Sequence, residues 1–301
     1  MTLLSGILLV DKEAGRPSYT IIRRLKRLTP RKQKIGFSGT LDPLATGLLP
    51  VLLGRGTRIA DLFHTFAKTY RAEVELGRTT DSFDSDGNET SRFQGSVSCT
   101  TQDIRLALAA FLGTYRARPP AFSAKKIAGT PAYRRARRNE AVMLPEQTHY
   151  IYAARLIQHQ GKAVTFTVTV SRGTYIRTIA HDLGRRLGPG AVLTGLRRLA
   201  IGPFQVTNAL PQAQLTAETI ASHCRSLDDM LFPLCSRHME ETAFAAVSTG
   251  SKKDILAHFH PQFTRNAPFL LGSPEGKVLL VVIWDPVLRE HRMLYRLLPD
   301  R

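Results

Sequence analysis

VTFTVTVSRGTYIRTIAHDLGRRLG, residues 164–188, changes its hydrophobic period half-way along. Up to Val170 the apolar residues Val164, Phe166, Val168 and Val170 alternate with threonines, the period of a strand with one face buried. Beyond Gly173 the apolar positions Ile176, Ile179, Ala180, Leu183 and Leu187 fall three and four apart, which is helical spacing, and Gly188 ends the run. A half-buried strand therefore runs directly into an amphipathic helix.

Working outward, Tyr70, Ala72, Val74 and Leu76 alternate with Arg71, Glu73 and Glu75, predicting a second half-buried strand with Tyr70 on its apolar side. Gly6 to Val10 is a short apolar run that reads as a buried strand, followed by a loop at Gly15 and Pro17. Ser18 is placed to cap a helix with Ile21, Ile22, Leu25 and Leu28 on one face and Arg23, Arg24, Lys26 and Arg27 on the other. Residues 36–47, GFSGTLDPLATG, read as a loop, and Leu48 to Leu53 resume the core. TTDSFDSDGNET, residues 79–90, reads as a polar loop or hairpin, and Thr100 with Asp103 form a capping box for a helix that stops near Gly113.

Strands and helices mix without a regular βαβ repeat, so the expected class is α+β, with a mixed, largely antiparallel central sheet flanked by helices. After residues 227–234 the character changes. Two strand-like runs, Lys277 to Trp284 and Arg289 to Leu298, suggest a small β-rich module, and the expected division is residues 1–235 followed by 236–301.

The 42 Lys+Arg against 24 Asp+Glu leave a net charge of +18, which points to a polyanionic partner. Residues 23–34 and 116–138 concentrate that charge without a single Asp or Glu, and the second stretch interleaves Phe122 and Tyr133 among its cations. Such clusters neutralise phosphates while aromatics stack or pack, so nucleic acid is favoured over an anionic lipid surface. Three cysteines, Cys99, Cys224 and Cys235, form no close pair, which argues against a disulfide framework or zinc knuckle and fits a reducing cytoplasm. The N-terminus lacks a basic n-region, and no apolar run reaches the ~20 residues of a transmembrane helix, so a soluble protein is expected. No phosphate-cradling glycine loop, HExxH or CxxC is present, and no metal or cofactor is called for. His258 and His260 read as surface or core histidines rather than ligands.

Asp42 sits in the 36–47 loop between Gly39 and Pro43, where the following proline biases its backbone toward an extended conformation and aims the carboxylate. Asp-Pro is also a common turn starter, and the local pattern does not carry a catalytic claim by itself.

The wider order of segments does. GILLVDK (6–12), GTLDPLATG (39–47), KTY (68–70), LGRTTD (76–81), PPAFSAKK (119–126), SRGTYIR (171–177) and GAVLTGLRR (190–198) follow one another along the chain. In that order they resemble the TruB family of tRNA pseudouridine-55 synthases. The resemblance implies a pseudouridine synthase fold and a cofactor-free isomerase that acts on the T-arm of tRNA as a monomer.

By resemblance Asp42 is the carboxylate that attacks or deprotonates at the target ribose, so that uracil detaches at N1, rotates and rejoins through C5. Arg177 matches the arginine that pairs with the catalytic aspartate. Tyr70 matches the tyrosine that packs on uracil and assists loss of the C5 proton, and Tyr175 and Leu196 match residues lining the nucleotide pocket. By position, the tail corresponds to a PUA-type RNA-binding module. One departure stands out: the family's Gly-His-Thr-Gly or Gly-His-Ser-Gly is GFSG here, with Phe37 in place of a histidine that helps hold the flipped nucleotide. A non-catalytic tRNA-binding chaperone on the same fold is the alternative reading, and the intact Asp42 segment argues against it.

Overall fold

The computed structural model describes residues 2–123, 125–127, 129–136, 138, 140–238, 255–256, 268–273, 275–285 and 289–296. His258, His260 and the end of the last predicted strand, residues 297–298, lie outside the described residues.

In chain order the elements are β1 (Gly6–Lys12), α1 (Tyr19–Leu28), β2 (Ile35–Phe37), β3 (Ala45–Leu53), α2 (Ala60–Thr65), β4 (Lys68–Leu76), the hairpin strands β5 (Arg78–Thr80) and β6 (Glu89–Arg92), α3 (Thr101–Ala109) and β7 (Gly113–Ala117). They continue with β8 (Lys126–Ile127), β9 (Thr130–Pro131), α4 (Ala132–Ala136), β10 (Gln147–Gln160), β11 (Ala163–Val170), α5 (Ile176–Leu187), β12 (Ala191–Ile201), β13 (Phe204–Gln205), β14 (Leu210–Pro211), α6 (Ala217–His223) and α7 (Leu227–Leu231). The chain closes with β15 (Arg237–His238), β16 (Phe269–Gly272), β17 (Val278–Asp285) and β18 (Glu290–Arg296). No described helix is long and apolar enough to cross a membrane.

The chain divides into two compact units, one of Met1–Asp42, Leu48–Phe66 and Val206–Arg301, the other of Pro43–Gly47 and Ala67–Gln205. In the first, β1 pairs in parallel with β14, and β2 pairs antiparallel with the end of β3 through Ile35↔Leu53 and Phe37↔Val51. Leu8, Val10, Ile21, Leu25, Leu49 and Val51 are fully buried in its core, so the predicted apolar face of α1 is where it was expected. The predicted basic face is less uniform. Arg24 is half-buried and donates to the carbonyls of Gln212 (2.8 Å), Ala213 (3.1 Å) and Leu215 (2.8 Å), whereas Arg23, Lys26 and Arg27 are exposed.

Ser18 also departs from expectation. It occupies the N-cap position of α1 but makes no side-chain capping bond, because its hydroxyl is engaged elsewhere. The predicted 36–47 loop is shorter than read: β2 takes its first two residues and β3 starts at Ala45. The C-terminal residues of this unit form the sheet β15–β16–β17–β18, parallel at β15/β16 and antiparallel thereafter, over a core of Ile255, Phe269, Leu271, Leu280 and Val282. Asp228 on α7 accepts from the Val278 backbone N–H at 2.7 Å, and Arg292 on β18 pairs with Asp61 on α2.

In the second unit the first residues of β3 run parallel to β12, through Leu196↔Ala45 and Arg198↔Gly47, and the sheet continues antiparallel in the order β12–β4–β11–β10–β7. The fold is thus α+β with a mixed, largely antiparallel sheet, as the periodicities predict. Along β4 and β11 the cross-strand pairs Tyr70↔Val168, Ala72↔Phe166 and Val74↔Val164 are buried, and α5 packs on β12 and β4 while α3 packs on β10. The capping box at Thr100 and Asp103 forms as read.

Gly47 permits the parallel junction. Its φ is +100°, and a Cβ there would lie 2.3 Å from the Arg198 carbonyl oxygen. Gly47→Ala is expected to lower unfolding free energy by at least about 2 kcal/mol, from backbone strain plus a clash with backbone that cannot yield. A shift of the urea midpoint checks this.

Candidate active site

Asp42 is half-buried in the loop between β2 and β3, and its backbone is held from both directions. The Ser18 hydroxyl accepts from the Leu41 N–H and donates to the Leu41 carbonyl, each at 3.0 Å, with Ser18 1% and Leu41 3% exposed. On the other side the fully buried Lys12 ammonium donates to the Asp42 carbonyl at 3.4 Å and to the Glu13 carbonyl at 2.9 Å. Earlier in the loop, the Ser38 hydroxyl donates to the Ala60 carbonyl at 2.8 Å and Gly39 adopts φ +69°.

These bonds fall on main-chain atoms on both sides of Asp42. Ser18→Ala leaves two buried backbone groups unsatisfied and is expected to cost about 1–3 kcal/mol. It should also lower kcat more than it raises KM, which steady-state kinetics on an RNA substrate would read.

Phe37 ends β2. It is half-buried against the core cluster of the first unit, so its ring is partly committed to packing where the family histidine would be polar.

Tyr70, Tyr175, Arg177 and Leu196 all belong to the second unit. Tyr70 is 9% exposed and stands in the ladder between Val168 on β11 and Arg198 on β12. Leu196 is half-buried on the same face of β12, opposite Ala72, and its carbonyl accepts from the Thr46 hydroxyl at 3.3 Å.

Lys68 shares this face, two residues before Tyr70. Burial first, then the charges of Arg198 and Arg172, lowers its pKa to about 7. The unfolded chain keeps that proton up to about pH 10.4, so between these limits the folded state binds fewer protons and stability rises with pH. Below pH 7 the cost of the buried charge is fully present. Relative to Lys68→Met, in which the opposing contributions of the buried Cys224 and Cys235 thiols are the same, the wild type is expected to gain stability from pH 7 to pH 10, as urea unfolding of both at the two pH values would show.

Tyr175 is the N-cap residue of α5, and Arg177 lies in the helix's first turn. A buried cation beside the positive end of a helix is unfavourable unless an anion and acceptors surround it. Here Arg177 Nη1 donates to Asp84 Oδ2 at 3.2 Å and to the Ser82 carbonyl at 3.3 Å, and Nη2 donates to the Phe122 carbonyl at 2.7 Å. Both side chains of the ion pair are 6% exposed. Asp84 is itself fixed, since its Oδ1 accepts from the Ser82 hydroxyl at 2.6 Å and the Asp86 N–H at 3.2 Å. The Arg177 guanidinium carbon lies 5.6 Å from the centroid of the Tyr175 ring.

The neighbouring Phe83 takes φ +66° and stacks on His181 at 4.0 Å, and burial lowers the His181 pKa. The structure thus joins Tyr175 with Arg177, and places Tyr70 and Leu196 on one face of adjacent strands. It adds Asp84, which the sequence reading missed. The signal lay in residues 79–90, where three aspartates share a loop: Asp81 accepts from the Asn88 N–H at 3.0 Å and shapes the hairpin turn, while Asp84 turns inward.

Residues 26–176 match the N-terminal domain of the TruB family of pseudouridylate synthases, and residues 177–236 match the C-terminal domain of tRNA pseudouridylate synthase B. The chain belongs to the TruB family. It is 39% identical over 230 residues to the tRNA pseudouridine synthase B of Solibacter usitatus (strain Ellin6076), covering 76% of this chain and 77% of that protein. It is 36% identical over 263 residues to that of Syntrophus aciditrophicus (strain SB), covering 85% and 83%. Among solved structures, a chain of a Cbf5-Nop10-Gar1 complex superposes with a TM-score of 0.68 over 92% of this chain and 77% of that one, at 22% identity. That likeness establishes the fold alone.

Proposed function

We propose that this TruB-family chain isomerises uridine to pseudouridine in tRNA, at position 55 of the T-loop, with Asp42 as the catalytic carboxylate. The observation that carries the reading is the clamp on Leu41 and Asp42, in which Ser18 and Lys12 hold the main chain on both sides of a half-buried carboxylate. The names of the family relatives support tRNA as substrate.

In this reading the Asp42 carboxylate attacks or deprotonates at the ribose. The N1–C1′ bond breaks, uracil turns, and a C5–C1′ bond forms; the C5 proton is lost and N1 gains one, so the product is an isomer. Tyr70 packs on the ring and assists departure of the C5 proton. Arg177, oriented by Asp84, is the third residue of the catalytic set. Tyr175 and Leu196 line the nucleotide's place.

Extruding the target base from a folded loop costs a few kcal/mol of unstacking, which the exposed cations Arg23, Lys26 and Arg27 help to recover through phosphate contacts. The chain acts as a monomer on the T-arm in the cytoplasm. Residues 1–235 form the catalytic domain, and 236–301 form a small PUA-like module.

Incubation with an unmodified tRNA transcript, followed by carbodiimide treatment and primer extension, is expected to show one stop in the T-loop. Tight, salt-sensitive binding without any stop would favour the chaperone reading instead.

A further inference from the structure

We propose that the outer face of the second unit's sheet is a further RNA-binding surface, where Tyr150 and Tyr152 stack unpaired bases and Arg116 and Arg155 hold the backbone.

The register of β10 puts these residues together. His149 and Ile151 point inward and are 8% and 1% exposed, so Tyr150 between them points outward and is 46% exposed. The ladder slips between Ile151↔Val170 and Ala153↔Thr169, leaving Tyr152 as an extra residue that is 56% exposed. The two tyrosine rings lie 4.9 Å apart at 50°. Direct cross-strand partners share a face, so Arg116 on β7, opposite Thr148 on β10, and Arg155 on β10, opposite Thr167 on β11, emerge on the same side. Both arginines are exposed.

Tyr70 faces the other way, paired with Val168 on the buried face that also takes Ile151 and Val170. An RNA segment seated against Tyr70 therefore leaves the Tyr150–Tyr152 pair open to a different segment.

The chemistry selects the occupant. Two adjacent exposed aromatics offer π-faces that any base can use, while guanidinium groups on both sides suit a phosphate backbone and repel a basic partner. The nearest acid along β10 is Glu146, just before the strand begins. On a chain carrying +18 overall, a single-stranded polyanion with stacking bases fits this face better than an apolar peptide. Binding here does not depend on the catalytic reading, because the surface shares no residue with Asp42, Tyr70 or Arg177.

The probe is a fluorescein-labelled 12-nucleotide oligouridylate, titrated by anisotropy at fixed salt against the full chain. Tyr150→Ala/Tyr152→Ala is expected to raise Kd by at least about tenfold, the loss of two stacking platforms. Tyr150→Phe/Tyr152→Phe keeps the rings and should bind within about twofold of wild type. Turnover of a minimal T-arm stem-loop should be unchanged in both. The proposal is overturned if the wild type does not bind the oligonucleotide, if the alanine variant binds like wild type, or if the phenylalanine variant loses as much as the alanine one. Tyrosine-dependent binding by a wild type that makes no pseudouridine would remove the catalytic reading and leave this surface standing.

Discussion

Asp42→Asn is expected to slow pseudouridine formation by at least about a thousandfold, while tRNA affinity stays within a fewfold of wild type. The substitution keeps the size and hydrogen-bonding reach of the side chain and removes only its charge and basicity. The bonds from Ser18 to the Leu41 backbone and from Lys12 to the Asp42 carbonyl fall on main-chain atoms, which the substitution leaves in place. Loop geometry should therefore survive, and the loss should appear in kcat and kcat/KM about equally. Single-turnover rates on a tRNA transcript, together with filter binding, separate the two quantities. A variant that loses affinity as steeply as rate would mean that Asp42 serves the RNA contact and not the chemistry.

The second large effect is expected at Asp84. Its carboxylate and the Arg177 guanidinium are almost fully buried at 3.2 Å, and removing one partner strands the other charge out of water. Asp84→Ala should cost about 3–5 kcal/mol of unfolding free energy and release Arg177 from the position set by Asp84 and the Ser82 and Phe122 carbonyls. Asp84→Asn retains an acceptor and should be milder in stability, yet still poor in turnover. Replacing both residues, as Asp84→Leu/Arg177→Met, removes the stranded charge and should recover part of the stability without recovering activity. Urea unfolding of the three variants beside their turnover distinguishes an ion pair that orients a functional arginine from one that only supports the fold.

Much of the fold is legible in the sequence wherever one period persists. β4, β11 and α5 bury one face over many residues, so alternation and helical spacing declare them. The parallel start of β3 is not legible, because glycine, proline and small residues in the 36–47 stretch read as loop, although Gly47 is there to let backbone approach backbone. β16 escapes for a different reason: FLLG is four residues long and fully buried, too short to show any period.

The site divides in the same way. Asp42, Tyr70 and Arg177 stand in motifs whose order identifies the family. Ser18 and Asp84 act through tertiary hydrogen bonds that link residues far apart in sequence. Ser18 reads locally as a helix cap, and its hydroxyl instead serves Leu41, 23 residues on. Asp84 reads as one acid in a solvated loop, and its partner lies 93 residues away. Arg24 makes the converse point, since a cation that spacing assigns to an RNA-facing helix surface is held by three carbonyls of its own chain.

The central claim, that this chain forms pseudouridine with Asp42 as its carboxylate, is tested most directly by tritium release from a tRNA transcript labelled at C5 of its uridines. Forming the C5–C1′ bond must expel hydrogen from that carbon. The account predicts one equivalent of tritium released per tRNA by the wild-type chain, none when the T-loop uridine at position 55 is replaced by cytidine, and a rate reduced by at least about a thousandfold with Asp42→Asn. No release by the wild type, or undiminished release by Asp42→Asn, would contradict it.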